Sequence, residues 1–191
     1  MENTLVSCTL FAQPGPANTE ETLRIAVERA GQLGIRSVVV ATTTGATGRK
    51  ATEVFRGFDV ILVTHTTGSR APNHQELEPE NRAAIEANGG RILTSIYAFG
   101  GIGRAVREKM GTYQLDEIVA HVLRLFGEGM KVVTEISVMA ADAGLLPVGE
   151  RAIAIAGTHR GADTAVVLQP ANAKHFFDLR ICEVLCKPRF Y

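Results

Sequence analysis

The chain has 191 residues, with 20 lysines and arginines balanced by 20 aspartates and glutamates, and no run of basic residues stands out. A nucleic acid backbone is normally met by a concentrated basic surface, so this balance argues against a nucleic acid partner. Hydrophobic residues at 46% and charged residues at 21% are typical of a folded globular protein. The length suits one domain over residues 1–191.

Several features bear on the cellular location. No stretch of eighteen apolar residues occurs, and Glu2 stands where a signal peptide would carry positive charge. The cysteine count is three, which does not suggest a disulfide framework. We therefore expect a cytoplasmic protein without a membrane partner. Cys182 and Cys186 are expected on one face of a strand, where core packing is a better explanation than a metal, and no metal site is predicted.

Strand and helix patterns alternate along the chain. Strands are predicted at 4–12, 37–41, 59–65, 90–95, 152–157, 164–170 and 176–185. Helices are predicted from Asn18 or Thr19 to Leu33 and at 46–55, 78–88, 114–126 and 131–144, with a further helix after the glycines of 97–111. Continuously apolar strands separated by helices indicate a mostly parallel sheet covered on both faces. The predicted fold is a three-layer α/β/α sandwich.

Two of the helices have long apolar faces. The helix at 114–126 places Leu115, Ile118, Val119, Val122, Leu123 and Phe126 on one face. The helix at 131–144 is expected to turn Val132, Val133, Ile136, Met139, Ala140 and Ala143 inward.

A loop rich in threonine and glycine follows the strand at 37–41. It consists of Thr42, Thr43, Thr44, Gly45, Ala46, Thr47 and Gly48. The start of the next helix offers free backbone N–H groups, and the glycines allow close approach, so a phosphate site is favoured. The alternative is that the threonines cap the helix and the glycines make a tight turn. The loop is neither a Walker A loop nor a G-x-G-x-x-G fingerprint.

Three segments carry a resemblance to a known family. They are "ENTLVSCTLFAQPGPANTEETLRIAVERAGQLGIRSVVVATTTGATGRKATEVF", "EISVMAADAGLLPVGERAIAIAGTHRGADTAVVLQPA" and "FDLRICEVLCKPR". These segments resemble a family of small stand-alone prokaryotic proteins that are similar in fold to the C-terminal α/β domain of pyruvate kinase. The resemblance extends over nearly the whole chain.

The resemblance implies a phosphate pocket. In pyruvate kinases of this fold a Thr/Ser-rich loop after a strand grips a phosphate of a sugar bisphosphate, and "TTTGATG" takes the equivalent place here. Members of the small family are expected to hold flavin mononucleotide (FMN) or a similar phosphorylated ligand there. The catalytic barrel of pyruvate kinase has no counterpart in the sequence, so pyruvate kinase activity is not expected.

Other candidates follow neighbouring strands. His65 and Thr66 lie at the end of the strand predicted at 59–65, where His65 is either a ligand or acid–base group or a structural one. Glu135 could meet the polar part of a ligand, and the alternative is capping or an ion pair with a neighbouring arginine. The loop with Gly157, Thr158, Arg160, Gly161 and Asp163 corresponds by resemblance to one that contacts the second phosphate of the effector, and its alternative is a plain hairpin turn.

Another glycine-rich helix start, "YAFGGIGRAVREKMG", brings Arg104 and Arg107, which favours an anion no more than it favours flexibility over the pocket.

Three functional hypotheses remain open. The first is a binding protein for FMN or a related phosphorylated small molecule. The second is an enzyme, either a flavin-dependent oxidoreductase or one acting on a sugar phosphate, with His65, Glu135 or Asp163 handling protons. The third is a structural partner domain that forms a homo-oligomer or part of a larger assembly.

Overall fold

The computed structural model describes residues 3–190, and its elements follow the predicted order. The strands are β1 (Thr9–Phe11), β2 (Ser37–Ala41), β3 (Asp59–Val63), β4 (Arg91–Leu93), β5 (Ala152–Ala156), β6 (Thr164–Gln169) and β7 (Arg180–Pro188). The α-helices are α1 (Thr19–Leu33), α2 (Ala46–Val54), α3 (Pro79–Ala87), α4 (Ile102–Met110), α5 (Leu115–Arg124) and α6 (Glu128–Asp142). Short 3₁₀ turns occupy Pro16–Asn18 and Ala173–Asp178. The first strand is shorter than predicted, and the last begins four residues later.

All seven strands form one sheet in the order β1-β7-β6-β5-β2-β3-β4. Strand β2 pairs in parallel with β3 and β5, β3 with β4, and β1 with β7. Strand β6 runs antiparallel to both β5 and β7. The antiparallel pair β5–β6 is joined by a short loop, whereas helices connect β2, β3 and β4, because parallel neighbours need a crossover. The sheet is therefore mostly parallel, as predicted.

Helices cover both faces of the sheet. Along β2, Val38 and Val40 belong to the core beneath α1, α2 and α3, whereas Val39 belongs to the core beneath α6. All three valines are 0% exposed, which explains why β2 is continuously apolar rather than alternating. The α/β/α sandwich predicted from the sequence is confirmed.

The strand order creates a cleft at one edge of the sheet. From β2 the chain continues to β3 and β4 on one side, then returns through α6 to β5 on the other side of β2. Helices α2 and α3 lie on one face here and α6 on the opposite face. In open α/β sheets this reversal leaves a crevice outside the carboxyl ends of the strands. The loops that follow β2, β3 and β5 meet there.

Two expectations about side-chain direction are wrong in part. In α6, Val133, Ile136, Met139 and Ala140 are buried, whereas Val132 is half-buried and Ala143, at the helix end, is exposed. In β7, Cys182 is exposed and Cys186 is buried. The pairing of β7 with β6 shifts register twice, so strict alternation fails between the two cysteines.

Helix α5 presents its apolar face to solvent. Leu115, Ile118, Val122 and Phe126 are 77%, 51%, 54% and 59% exposed. The residues that α5 buries are Glu117 and Ala120. Of the six apolar residues predicted for one face, Val119 and Leu123 are half-buried, and the described chain provides no element that covers the other four.

Candidate functional site

A cavity of about 640 Å³ lies where the loops after β2, β3 and β5 meet α6. Its polar and charged lining consists of Thr42, Thr43, Thr47, Thr64, His65, Ser69, Arg70, Tyr97, Arg104, Arg124, Glu128, Lys131, Glu135, Thr158, His159 and Arg160. Val63, Val132, Ile136 and Met139 supply much of the apolar wall. The volume falls within the range of small-molecule sites.

The start of α2 borders this cavity. Gly45, the residue before the helix, has a φ of 96°, and an added Cβ would lie 2.5 Å from the Cβ of Asn81. Only glycine fits this turn from strand to helix. In the described part of the chain, the backbone N–H groups from Thr43 through Thr47 donate to no protein group. Five donors and the positive end of the helix dipole are thus available to an anion.

The threonines of this loop divide into two roles. Thr43 and Thr47 line the cavity, and so does Thr42, but the Thr42 hydroxyl accepts a bond from the Gly48 N–H at 3.1 Å. The Thr44 carbonyl accepts bonds from Asn81 Nδ2 at 3.0 Å and from the Glu78 N–H at 3.1 Å. Thr44, Gly45, Ala46 and Gly48 contribute no wall. They shape the turn between β2 and α2 instead, in agreement with the tight turn expected of the glycines.

His65 stands between the threonine loop and a buried carboxylate. Its Nε2 lies 3.2 Å from Thr43 Oγ1, and its Nδ1 lies 2.7 Å from Glu76 Oε2. A carboxylate at Nδ1 requires the proton on that nitrogen. In the neutral ring Nε2 is then the acceptor for the Thr43 hydroxyl. Thr66 does not line the cavity, and its carbonyl accepts the Ser69 N–H in a turn.

Glu76 binds two side chains at once. Its second oxygen pairs with Arg70 Nε at 2.7 Å. Burial favours the neutral carboxyl, but the hydrogen bonds and charges of His65 and Arg70 together outweigh it, so the pKa of Glu76 lies below its usual value. The side chain is 9% exposed. Glu76 therefore stays ionised and fixes the imidazole.

Glu135 lines the cavity but is already engaged. It forms a buried ion pair with Lys131, one turn earlier on α6, and its Oε1 accepts the Phe99 N–H at 2.9 Å. Both side chains are under 10% exposed. Glu135 thus fixes the segment after β4 against α6, and Lys131 cancels its charge.

The residues of the loop after β5 also fall into two groups, one on the cavity wall and one buried below it. Gly157, Thr158 and Arg160 line the cavity, whereas Asp163 is completely buried beneath it. Asp163 accepts the N–H groups of Gly15 at 2.9 Å and of Thr158 at 3.1 Å. Thr158 Oγ1 is buried without a hydrogen-bond partner among residues 3–190.

The same loop is packed tightly against the N-terminal turn. A Cβ on Gly161 would lie 2.5 Å from Pro16 Cα, so this glycine permits the contact. His159 adopts a φ of 58°, which is uncommon for a residue other than glycine.

Positive charge dominates the cavity. Five lysine and arginine side chains line it, against two glutamates. Arg124 pairs with Glu128 at 2.7 Å. Within residues 3–190, Arg104 and Arg160 form no ion pair with a carboxylate, and Arg104 lies 5.8 Å from the centre of the Tyr97 ring. The charge balance and the α2 terminus both suit an anionic ligand.

Sequence reasoning overlooked several lining or supporting residues. Lys131 was recognisable, since a lysine and a glutamate four residues apart share a helix face. Glu76 carried no signal, because it lies in a long irregular loop. Ser69, Arg70 and Tyr97 lie in segments rich in hydroxyl groups or glycine that follow strand ends, but they were not named as site residues. Of the two arginines singled out on α4, Arg104 lines the cavity, and Arg107 pairs with Glu117 at 2.7 Å.

Two further properties concern metals and membranes. The described residues contain no cluster of three or more histidine, cysteine, aspartate or glutamate side chains arranged to hold a metal ion. None of the helices within residues 3–190 has the length and apolar character needed to cross a bilayer.

Comparison with known proteins identifies the family. Residues 20–168 match the family model of the pyruvate kinase alpha/beta domain. The chain belongs to this family. Among solved structures it is similar to the Cryptosporidium parvum pyruvate kinase in complex with ADP, with 17% identity and a TM-score of 0.40. That similarity covers 81% of this chain and 24% of the pyruvate kinase chain, so the chain spans about a quarter of that enzyme.

The Glu76 ion pairs predict a specific pH dependence. Because the folded-state pKa of Glu76 lies below its usual value of 4.5, the pairs contribute stability above that pH, and this contribution is lost as the pH falls through the folded-state pKa. Urea unfolding between about pH 3 and pH 7 should show a shallower acid loss of unfolding free energy in Glu76→Gln than in the wild type. Glu150→Gln, at an exposed position, is the control. Equal pH profiles for all three proteins would contradict the assignment.

Proposed function

We propose that the protein binds a phosphorylated small molecule, with FMN as the first candidate, and that the start of α2 holds the phosphate. The observation that carries the proposal is the set of unpaired N–H groups from Thr43 to Thr47 beside the cavity. A phosphate accepts several such donors at once, and a helix N-terminus favours its charge. The Thr47 hydroxyl adds another donor, and the Thr43 hydroxyl adds one more when it turns from His65 Nε2 to the phosphate.

The remaining lining suits the rest of such a ligand. Arg104 and Arg160 offer cationic groups, and Thr158 has a buried hydroxyl without a partner. Val132, Ile136 and Met139 provide an apolar wall on α6 against which a flat ring system can pack. Together with the resemblance of the chain to a small family whose members are expected to hold FMN or a similar ligand, these features favour FMN over a bare sugar phosphate.

The cellular setting belongs to the same proposal. All three cysteines are free thiols, which is usual in a reducing compartment. We propose a cytoplasmic protein with neither nucleic acid nor membrane as its partner, in keeping with its balanced charge.

Binding should depend on the phosphate and on Thr43. Thr43→Val removes a hydroxyl on the cavity wall, and because hydrogen bonds to charged groups contribute about 1.5–3 kcal/mol, FMN affinity should fall by roughly tenfold to a hundredfold. Riboflavin, which lacks the phosphate, should bind still more weakly. Thr44→Val is the matched control, since the Thr44 side chain does not line the cavity. Flavin fluorescence titration measures all four affinities.

Several results of that titration would count against the proposal. Failure of wild-type protein to bind FMN would exclude it as the ligand. Equal affinity for FMN and riboflavin would show that the phosphate does not contribute to binding. Equal losses of affinity in Thr43→Val and Thr44→Val would show that the start of α2 does not hold it.

A flavin-dependent oxidoreductase is the second candidate, favoured by the His65–Glu76 pair. FMN supplies electron and hydride transfer when bound. His65, held at Nδ1 by Glu76, presents Nε2 toward Thr43 at the cavity and is therefore placed to exchange a proton with a ligand.

The enzyme candidate predicts a separation of binding from turnover. In FMN-loaded protein, NAD(P)H oxidation should slow by about 10² in His65→Gln, the lower end of general acid–base contributions, while bound FMN changes much less. His175→Gln, at a side chain that is 63% exposed, should match the wild type. Absence of NAD(P)H oxidation in the wild type, or an unchanged rate in His65→Gln, would leave binding alone as the function.

A further inference from the structure

The apolar stripe of α5 consists of Leu115, Ile118, Val122 and Phe126. These residues lie 3, 4 and 4 positions apart, so they share one side of the helix and its C-terminal continuation. All four are more than half exposed. The buried side of α5 carries Ala120 and the charged Glu117 instead. The amphipathic pattern is therefore inverted with respect to the rest of the molecule, with its larger apolar side chains outside.

From this inversion we propose that the protein forms a homodimer in which the apolar stripes of two copies pack against each other. A two-fold axis places the same surface on both partners, so one stripe suffices to build the contact. The proposal is independent of the ligand that occupies the cavity.

The available area suits a weak but specific dimer. A fully exposed aliphatic side chain offers on the order of 100 Å² of buriable surface, so the four partly exposed residues offer roughly 300 Å² per copy. Since about 60% of an interface is apolar, the whole contact would bury roughly 1,000 Å². That is the lower limit for a specific interface, which indicates a dissociation constant of order micromolar rather than nanomolar.

The charged residues of α5 do not favour a membrane surface. Glu117 pairs with Arg107 and Arg124 pairs with Glu128, so these charges are used within one copy. Two antiparallel copies of α5 would also align the two helix dipoles favourably. A helix that binds a membrane surface is instead rich in lysine and arginine. Helix α5 has one arginine and no lysine.

Sedimentation velocity from ~1 to ~200 µM tests the proposal, because this range brackets a micromolar dissociation constant. The wild type should shift from monomer to dimer as concentration rises. Ile118→Glu and Val122→Glu each place two charges at the centre of the contact and should weaken dimerisation by roughly a hundredfold. Val148→Glu is the matched control, because Val148 is also 50% exposed but lies outside α5. Circular dichroism should show all four proteins equally folded.

Three results would overturn the proposal. A wild type that stays monomeric throughout has no such dimer, and its cosedimentation with phosphatidylserine vesicles would assign the stripe to a membrane surface. A dimer that persists in both stripe variants uses another surface. Equal dissociation in Val148→Glu would show that the added charge, rather than its position, is responsible.

Discussion

The sharp turn from β2 into α2 at Gly45 is the constraint on which the candidate site depends. A left-handed residue is needed there, and Asn81 packs so closely that no side chain fits. The turn leaves the N–H groups of residues 43–47 without partners. The next N–H group, that of Gly48, donates to the Thr42 hydroxyl and anchors the helix. The cavity thus combines a firmly anchored helix with an open terminus, and an anion is the simplest group that satisfies it.

Three carboxylates make the surrounding loops rigid. Asp163 holds the loop after β5 to the N-terminal turn, Glu135 holds the segment after β4 to α6, and Glu76 holds His65 and Arg70. Each is largely removed from water and each is satisfied by several donors, which keeps a buried charge from being costly. Such a site is preformed, so a ligand that fits it loses little free energy to reorganisation. The sequence marked Glu135 and Asp163 as possible proton carriers. In the structure both carboxylates support the loops instead.

Much of the architecture was predictable because it depends on local patterns. Apolar runs such as Val38–Val40 and caps such as Gly34 mark strands and helix ends directly in the sequence. The position of the threonine loop at a strand end followed from the same patterns. The partner of His65 could not be predicted, since Glu76 meets it through an irregular loop. The partner of Glu135 could be predicted, because Lys131 lies four residues earlier on the same helix face. The two register shifts between β7 and β6 could not be predicted either, because they depend on how the two strands pair. They leave Cys182 exposed and Cys186 buried.

Amide chemical shifts test the central claim most directly, because they report on the N–H groups themselves. A ¹H–¹⁵N correlation spectrum should be recorded as FMN is added, and again with riboflavin. Hydrogen bonds from Gly45, Ala46 and Thr47 to a phosphate should move their amide signals downfield with FMN and leave them nearly unmoved with riboflavin. Binding of FMN with these three signals unchanged, or with the largest shifts far from α2, would contradict the claim that the start of α2 holds the phosphate.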